Sequence, residues 1–367
     1  MIKLRQLKNL DWILILCLLA LFVLGCIVIY STTINSLGFG ITLSQIIFGV
    51  IGFILLFFFA LFDYRGIKTY SRFLYVTIIV LLLYVLFAGR MIQGASRWID
   101  FGFFQFQPSE LAKLVVIIIL AKYFAKKGKE MKFFSSFLVS FLYILLPLIL
   151  IIAQPDLGTA LVLIVIWGGM LFATQAKKIY FLGLSFLTFS AVPIIYKFFL
   201  KDYQRQRILT FLNPSLDPQG SGYNVLQSTI SVGSGQMFGR GLGHGPQSQL
   251  KFLPERFTDF IFSVFAEELG FVGAIILLTL FFIVIIRLVR AAKISSDSFG
   301  GFFAIGVAIW VLFQVFINIG MNIGIAPVTG IPLPLISAGG SSVIVFLISF
   351  GIVQSIIFRH KRLSFGG

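Results

Sequence analysis

The chain has 367 residues, of which 59% are hydrophobic and only 11% charged, and its mean hydropathy is +1.03. Soluble globular chains carry about a quarter charged residues, so this composition excludes a soluble domain and points to an integral membrane protein. A net charge of +16 would suit nucleic-acid binding in a soluble protein, but in a membrane protein the bias of lysine and arginine toward inner loops accounts for it.

Long apolar runs, each near the ~20 residues a helix needs to cross ~30 Å of hydrocarbon, predict an all-α polytopic protein rather than a barrel. Ten spans are expected, over 12–30, 41–62, 73–92, 107–124, 133–152, 157–174, 179–199, 260–286, 302–322 and 339–358. An even number places both termini on one side. With that side cytoplasmic, every inner segment is basic: Lys3, Arg5 and Lys8; Arg65, Lys68 and Arg72; Lys122, Lys126, Lys127, Lys129 and Lys132; Lys177 and Lys178; Arg287, Arg290 and Lys293; Arg359, Lys361 and Arg362. These are 19 of the 29 basic residues, the positive-inside pattern. Nine of the 13 acids fall on or near the outer face, all but Asp11, Asp63, Glu130 and Asp297. Acids do not set topology, which leaves chemistry on that face or support of helix N-termini starting there. The chain reads as a single transmembrane domain, 1–367, with a large extracytoplasmic loop at about 201–259 between helices 7 and 8.

Cys17 and Cys26 stand nine residues apart in the first apolar run, roughly 13 Å along a helix, so no disulfide between them is expected. Val23-Leu-Gly-Cys26 loosely resembles a lipoprotein cleavage box, but cleavage there would discard the first of many spans, and no removable signal is expected.

The outer segment from Arg90 to Lys113 is rich in aromatics, Trp98 among them, which read as an interfacial belt. Pro108 suits the first turn of a helix, with Glu110 at the positive end of its dipole. Glu110 and Lys113, three apart, share a face and can pair. Gln154-Pro-Asp156 repeats the device, an acid at an outer helix start. The segment from Lys201 to Asp259 is too long to be a structureless loop and should hold elements of its own. It includes a weakly helical stretch at Gln227–Ser231 and a glycine-rich run from Gly233 to Gly245. Arg205, Arg207, Arg240, Lys251 and Arg256 put positive charge where the positive-inside rule would not; an anionic ligand or lipid headgroups would explain them. The glycine run is neither a Walker A loop nor a full Gly-x-Gly-x-x-Gly, so no nucleotide or organic cofactor is expected. His244 and His360 fall on opposite sides, leaving no zinc site of familiar spacing.

From Asn322 to Ser342 the chain is apolar yet broken by proline and glycine, a backbone tolerated at membrane depth only when buried in protein or lining a cavity. Gly339-Gly-Ser341-Ser342 then opens a helix whose first N–H groups suit a phosphate, or simply a cap. Between these segments lies the stretch Leu253 to Gly270. A Pro254-Glu255-Arg256 turn leads to Thr258-Asp259, and Glu267 and Glu268 interrupt the next apolar run. A carboxylate where a polar loop enters an apolar helix is costly and marks a functional site by default. An aspartate at a helix start is also commonly a cap, and the residues alone leave both readings open.

Five motifs in order, Gly94-Ala-Ser-Arg-Trp-Ile99, Phe106-Gln-Pro-Ser-Glu-Leu-Ala-Lys113, Gln154-Pro-Asp-Leu-Gly-Thr159, Leu253-Pro-Glu-Arg-Phe-Thr-Asp-Phe-Ile-Phe262 and Pro327-Val-Thr-Gly-Ile-Pro-Leu-Pro334, resemble the SEDS family (shape, elongation, division and sporulation; the group of FtsW, RodA and SpoVE). Pro327-Val-Thr-Gly-Ile-Pro332 and Gln247-Ser-Gln-Leu250 bring it nearer the rod-shape branch than the division branch. Phe257 stands where the family usually has His, and Ala338 where Tyr usually precedes Gly-Gly, so neither of those side chains is expected to be obligatory.

The resemblance implies a peptidoglycan glycosyltransferase of the bacterial cytoplasmic membrane that polymerises lipid II into glycan strands for cell elongation. It implies a class B penicillin-binding protein and other elongation-complex membrane proteins as partners, membrane lipid as surroundings, no nucleic acid, and a divalent cation (Mg or Mn). The family's essential aspartate maps onto Asp259. A lipid pyrophosphate is already a good leaving group, so the reaction needs one base, cations for the departing charge and exclusion of water, without the paired carboxylates of a glycosidase. Desolvation can raise the Asp259 pKa toward a useful value. Arg97, Trp98, Glu110, Lys113, Asp156, Arg205, Arg207, Glu255 and Ser341 are the expected substrate-binding residues, with Glu267 and Glu268 holding helices together or shaping the cavity wall. A lipid II flippase, a division paralogue and a scaffold for synthases are the alternatives.

Overall fold

The computed structural model describes residues 9–33, 38–92, 95–102, 105–183, 190, 202–213, 220–250 and 252–364. Its helices are α1 (Trp12–Thr33), α2 (Gly40–Leu61), α3 (Tyr64–Ala88), α4 (Pro108–Lys127), α5 (Phe134–Ala153), α6 (Leu157–Phe172), α7 (Asp202–Leu212), α8 (Ser221–Ser234), α9 (Pro246–Gln249), α10 (Ile261–Ile294), α11 (Ser298–Asn322) and α12 (Gly340–Ser364). Among the described residues, seven helices are long and apolar enough to cross a membrane: α1, α2, α3, α5, α10, α11 and α12. α4 has 20 residues but carries Glu110, Lys113 and three further lysines, and α6 is apolar with 16 residues. All ten expected spans but one therefore correspond to helices; most of the expected span over 179–199 lies outside the described residues, as does Lys251.

Burial sorts these helices. Of the apolar window of α12, 83% is buried, against 22% for α3. α4 is buried almost all round through Leu114–Ala121, the pattern of a helix enclosed by others. It packs against α3, α6 and α11, while α12 lies along α2 and α10 along α11. α2 and α3 present Ile54, Phe58, Phe73 and Phe87 outward, as a lipid-facing rim does.

The two ends of the bundle differ. At one, Arg287 pairs with Asp11 at 2.5 Å, Arg359 with Asp63 at 3.3 Å, and Lys127 with Glu130 at 2.5 Å. Asp297 caps α11 through the Gly300 N–H and accepts from the Tyr64 hydroxyl at 2.9 Å. The expected loop after α3 is instead a three-stranded antiparallel sheet at the other end: β1 (Arg90–Ile92), β2 (Ala95–Asp100) and β3 (Gln105–Phe106), with Arg90 opposite Trp98 and Ile99 opposite Phe106.

At the same end the stretch 323–339 runs without a helix among its described residues. From Ala326 on, the apolar side chains Ala326, Ile331, Leu333, Leu335 and Ile336 are buried, whereas Ile323 and Ile325 are exposed, and the polar backbone is met by the bundle. Asn318 Nδ2 donates to the Ile331 carbonyl at 2.8 Å, and Gln45 Nε2 to that of Ser337 at 3.2 Å. The Leu333 N–H reaches Ser337 Oγ at 2.8 Å, and that of Gly339 reaches Gln45 Oε1 at 3.2 Å. Broken backbone inside the bundle is thus buried in protein, as membrane burial requires.

Candidate functional site

Asp259 ends a tight turn in which the Glu255 carbonyl accepts from the N–H groups of Thr258 and Phe260, while Thr258 Oγ1 donates to Glu255 Oε2 at 3.0 Å. Two asparagines a helical turn apart on α11 hold the main chain where this turn enters α10. Asn318 and Asn322 both donate to the Asp259 carbonyl, at 3.1 and 3.0 Å. Asn322 Oδ1 accepts from the N–H and hydroxyl of Ser263, at 3.0 and 2.5 Å, and so meets a donor in the first turn of α10. This removes the cap reading of Asp259. α10 has Phe260 before its first residue and no side-chain cap there; Asn322 does the capping. The Asp259 carboxylate makes no hydrogen bond or ion pair among the described residues and stands half-buried. Desolvation, reinforced by Glu255, pushes its pKa up to about 6, against the opposing pull of Arg207 and Arg97.

The surroundings come from four separate parts of the chain. Arg207, on α7, donates through Nη1 to the Val328 carbonyl at 3.3 Å. Arg97, on β2, donates through Nε to the Gln154 carbonyl at 3.1 Å and through Nη2 to that of Pro155, with Nη1 4.0 Å from Asp156 Oδ1. Asp156 is fixed in turn: it caps α6 through the Thr159 N–H at 3.1 Å and accepts from the Thr159 hydroxyl at 2.9 Å. The broken segment closes the other side. A Cβ at Gly330 would stand 3.6 Å from Asp259 Oδ2, and one at Gly158 would meet the Thr329 carbonyl oxygen at 2.7 Å, so only glycine lets α6 approach that strand of backbone so closely. Arg97, Asp156, Arg207, Glu255 and Asp259 are therefore gathered at one crevice.

The other expected residues stand elsewhere. Lys113 is buried inside the bundle, with Nζ 2.6 Å from Glu110 Oε1 and 5.2 Å from the centre of the Trp310 ring. This is a closed ion pair with a cation–π contact, not a cation presented to a ligand. Ser341 accepts from the Gln107 N–H and donates to the Gln105 carbonyl, both at 3.1 Å, tying β3 to the start of α12. Trp98 is half-buried in β2. Arg205 lies two residues from Arg207 on α7, and residues so spaced do not share a helix face. The two departures from the family pattern meet backbone to backbone, the Ala338 N–H donating to the Phe257 carbonyl at 2.9 Å. Asn318 and Asn322 escaped the reading of the sequence. Their signal was there, three amides at four-residue spacing (Gln314, Asn318, Asn322) in a largely apolar helix, where an intramembrane polar residue needs a reason.

Glu267 and Glu268 do other work. α10 breaks at Gly270, whose φ of 67° favours glycine, and the segment after α8 docks into the break. The Arg240 and Gly241 N–H groups donate to the Glu267 and Glu268 carbonyls, and those of Phe271 and Val272 to the Gln236 and Met237 carbonyls, at 2.9–3.0 Å. The Glu267 carboxylate accepts from the N–H groups of Gln247 and Ser248, at 2.9 and 3.1 Å, and from the Ser231 hydroxyl at 3.2 Å. Glu268 accepts from the Gly243 N–H at 3.0 Å and from the Ser31 hydroxyl. Both side chains are fully buried and hold the segment to the bundle.

No three His, Cys, Asp or Glu side chains among the described residues converge to hold a metal ion.

Residues 11–362 match the family model FTSW_RODA_SPOVE, described as cell cycle protein. The peptidoglycan glycosyltransferase MrdB of Escherichia coli K12 is 40% identical over 97% of this chain and 95% of its own. The probable peptidoglycan glycosyltransferase FtsW of Geobacter metallireducens is 37% identical over 98% of both. Among solved structures, a chain from a peptidoglycan synthase complex that coordinates polymerization and crosslinking superposes with a TM-score of 0.82 at 31% identity, covering 96% of this chain and 98% of that one. The rod shape determining protein RodA of Thermus thermophilus superposes with a TM-score of 0.68 at 29% identity, covering 96% and 97%. The chain belongs to the FtsW/RodA/SpoVE family of cell-cycle proteins and is a multi-pass protein of the bacterial inner membrane.

Proposed function

We propose that the protein, a peptidoglycan glycosyltransferase, polymerises lipid II on the outer face of the membrane with Asp259 as its general base. The observation that carries the reading is the Asp259 carboxylate itself: half-buried, without a hydrogen bond among the described residues, and within the field of Arg97 and Arg207. A carboxylate serving only as a cap would be spent on backbone N–H groups, and this one is not. With a pKa near 6 it is ionised at neutral pH yet basic enough to take a proton in the transition state.

Asp259 removes the proton of the acceptor sugar hydroxyl as that oxygen bonds to the anomeric carbon of the donor. The bond from that carbon to the lipid pyrophosphate breaks on the opposite face. In-line displacement inverts the centre, so an α-linked lipid II yields a β-linked strand and undecaprenyl pyrophosphate departs. Arg97 and Arg207 are placed to meet the developing phosphate charge. A divalent cation, when bound, would add to that charge compensation. Lys113 is withdrawn from this role by its burial against Glu110 and Trp310.

The outer face is the end that carries Asp259, since Arg287, Arg359 and Lys127 gather at the other. A class B penicillin-binding transpeptidase is the proposed partner, supported by the likeness to a chain of a peptidoglycan synthase complex. The role in elongation rather than division is supported by the Pro327-Val-Thr-Gly-Ile-Pro332 motif; depletion that rounds cells would support it, and depletion that leaves filaments would assign division. For the reaction, the purified protein with its transpeptidase partner is incubated with lipid II in detergent. Glycan strands from the wild type and none from Asp259→Ala are expected. Equal polymer from both would remove Asp259 as base, and no polymer under any condition would favour transport or scaffolding.

A further inference from the structure

The segment after α8 carries a feature apart from the crevice around Asp259. α10 has 34 residues, about 51 Å of helix, whereas the hydrocarbon core takes about 20 residues. Counting that length back from Arg287, the first of the basic residues at one boundary, reaches Glu267. The other boundary thus falls where α10 breaks at Gly270 and residues 236–241 dock. The docked segment sits at headgroup level, and it turns apolar side chains outward there: Phe238 is 81% exposed, and Met237 and Leu242 are exposed beside it. Such amphipathic exposure is the behaviour of an interfacial segment.

Within the same segment a cavity of about 290 Å³ is lined by Ser234, Gln236, Arg240 and His244 with Gly235 and Gly239. Every lining side chain can donate a hydrogen bond, and none is a carboxylate. The Arg240 side chain is exposed and makes no ion pair among the described residues. The cavity is also not the catalytic crevice, since Glu267 lies eight residues, about 12 Å, along the chain of α10 from Asp259.

We infer that this cavity binds the headgroup phosphate of an anionic phospholipid of the surrounding leaflet, through Arg240, His244 and Ser234, with the acyl chains lying beside Phe238 and Met237. The glutamates buried behind it hold the site rigid, so the lipid meets a preformed surface.

The test is native mass spectrometry of the full chain in detergent, offered phosphatidylglycerol or phosphatidylcholine. The wild type should retain phosphatidylglycerol preferentially, Arg240→Ala should weaken that retention about fivefold, and Arg240→Lys should restore most of it. Thermal unfolding of the lipid-free variants should match the wild type, which separates lost binding from lost fold. Equal retention of the two lipids, or unchanged phosphatidylglycerol retention in both Arg240→Ala and Arg240→Glu, would overturn the site. Displacement of the lipid by millimolar inorganic phosphate would reassign it to free phosphate. Loss of a purified transpeptidase partner from Arg240→Ala with lipid retention intact would reassign the face to a protein.

Discussion

Asp259 and the pair Glu267–Glu268 belong to one stretch of chain and are separated by two helical turns, yet the fold treats them in opposite ways. Around Glu267 and Glu268, backbone N–H groups and serine hydroxyls converge on fully buried carboxylates: both oxygens of Glu267 and Oε1 of Glu268 accept, while Glu268 Oε2 has no hydrogen-bond partner among the described residues. At Asp259 the bundle holds only the main chain, through Asn318 and Asn322, and leaves the carboxylate at a half-buried crevice with two arginines in its field. The lesson is that acid at a membrane boundary is not one signal. A buried carboxylate that gathers donors from distant segments organises structure; one whose backbone is pinned while neither oxygen is engaged suits the chemistry proposed for Asp259.

Four measurements would break or sharpen that contrast, the largest effect first. Replacing Asp259 by Asn should lower lipid II polymerisation by about 10²–10⁴-fold, without lowering the thermal unfolding midpoint, since no native hydrogen bond of the carboxylate is lost. A parallel loss of stability would place Asp259 with the structural acids. The pH dependence comes next. The base acts only when deprotonated and its pKa is raised to about 6, so the polymerisation rate should fall roughly tenfold per pH unit below that value and level off above it. A flat profile from pH ~5 to ~8 would contradict Asp259 as the titrating base.

Glu267→Ala strands the two backbone N–H groups of Gln247 and Ser248, so it should cost roughly 2–3 kcal/mol of stability and open the 235–250 segment to proteolysis. Loss of activity in a Glu267→Ala protein that unfolds like the wild type would instead give Glu267 a part in the chemistry. The smallest effect is expected of Asn322→Ala, which removes one of two donors to the Asp259 carbonyl and the cap on Ser263. About 1–2 kcal/mol of stability should go, and kcat should fall several-fold with KM nearly unchanged, because the base is displaced rather than a substrate contact removed. An unchanged kcat would show that Asn318 alone holds the turn.

Much of the helical scaffold was legible in advance, for a simple reason. A span must be about 20 apolar residues long whatever it packs against, so α1, α2, α5, α10, α11 and α12 fall close to the expected intervals. α4 and α6 also fall close to the expected 107–124 and 157–174, although a lysine-bearing helix and a short one cross the bundle interior only in the company of others. The ribbon β1–β3 was missed because its strands are two to six residues long, too short for a periodicity to emerge from aromatic-rich sequence. At the site, Asp156 and the Glu110–Lys113 pair could be read either as helix-entrance structure or as ligand contacts. Their spacing permitted both and all three are buried, so only their partners separate them: Asp156 faces Arg97, while Lys113 closes on Glu110 and Trp310.

The sequence by itself therefore determined the membrane-embedded helical class, the family and the stretch from Leu253 to Gly270 on which to look, since composition, hydrophobic length and motif order are properties of the linear chain. The tertiary structure decided which acid of that stretch keeps both carboxylate oxygens free of hydrogen bonds among the described residues. Asp259 is separated from Asn318, Asn322, Arg97, Arg207 and Gly330 by tens to hundreds of residues, and what a carboxylate can do depends on how many donors reach it and how much water it loses. Both quantities exist only once distant segments have packed.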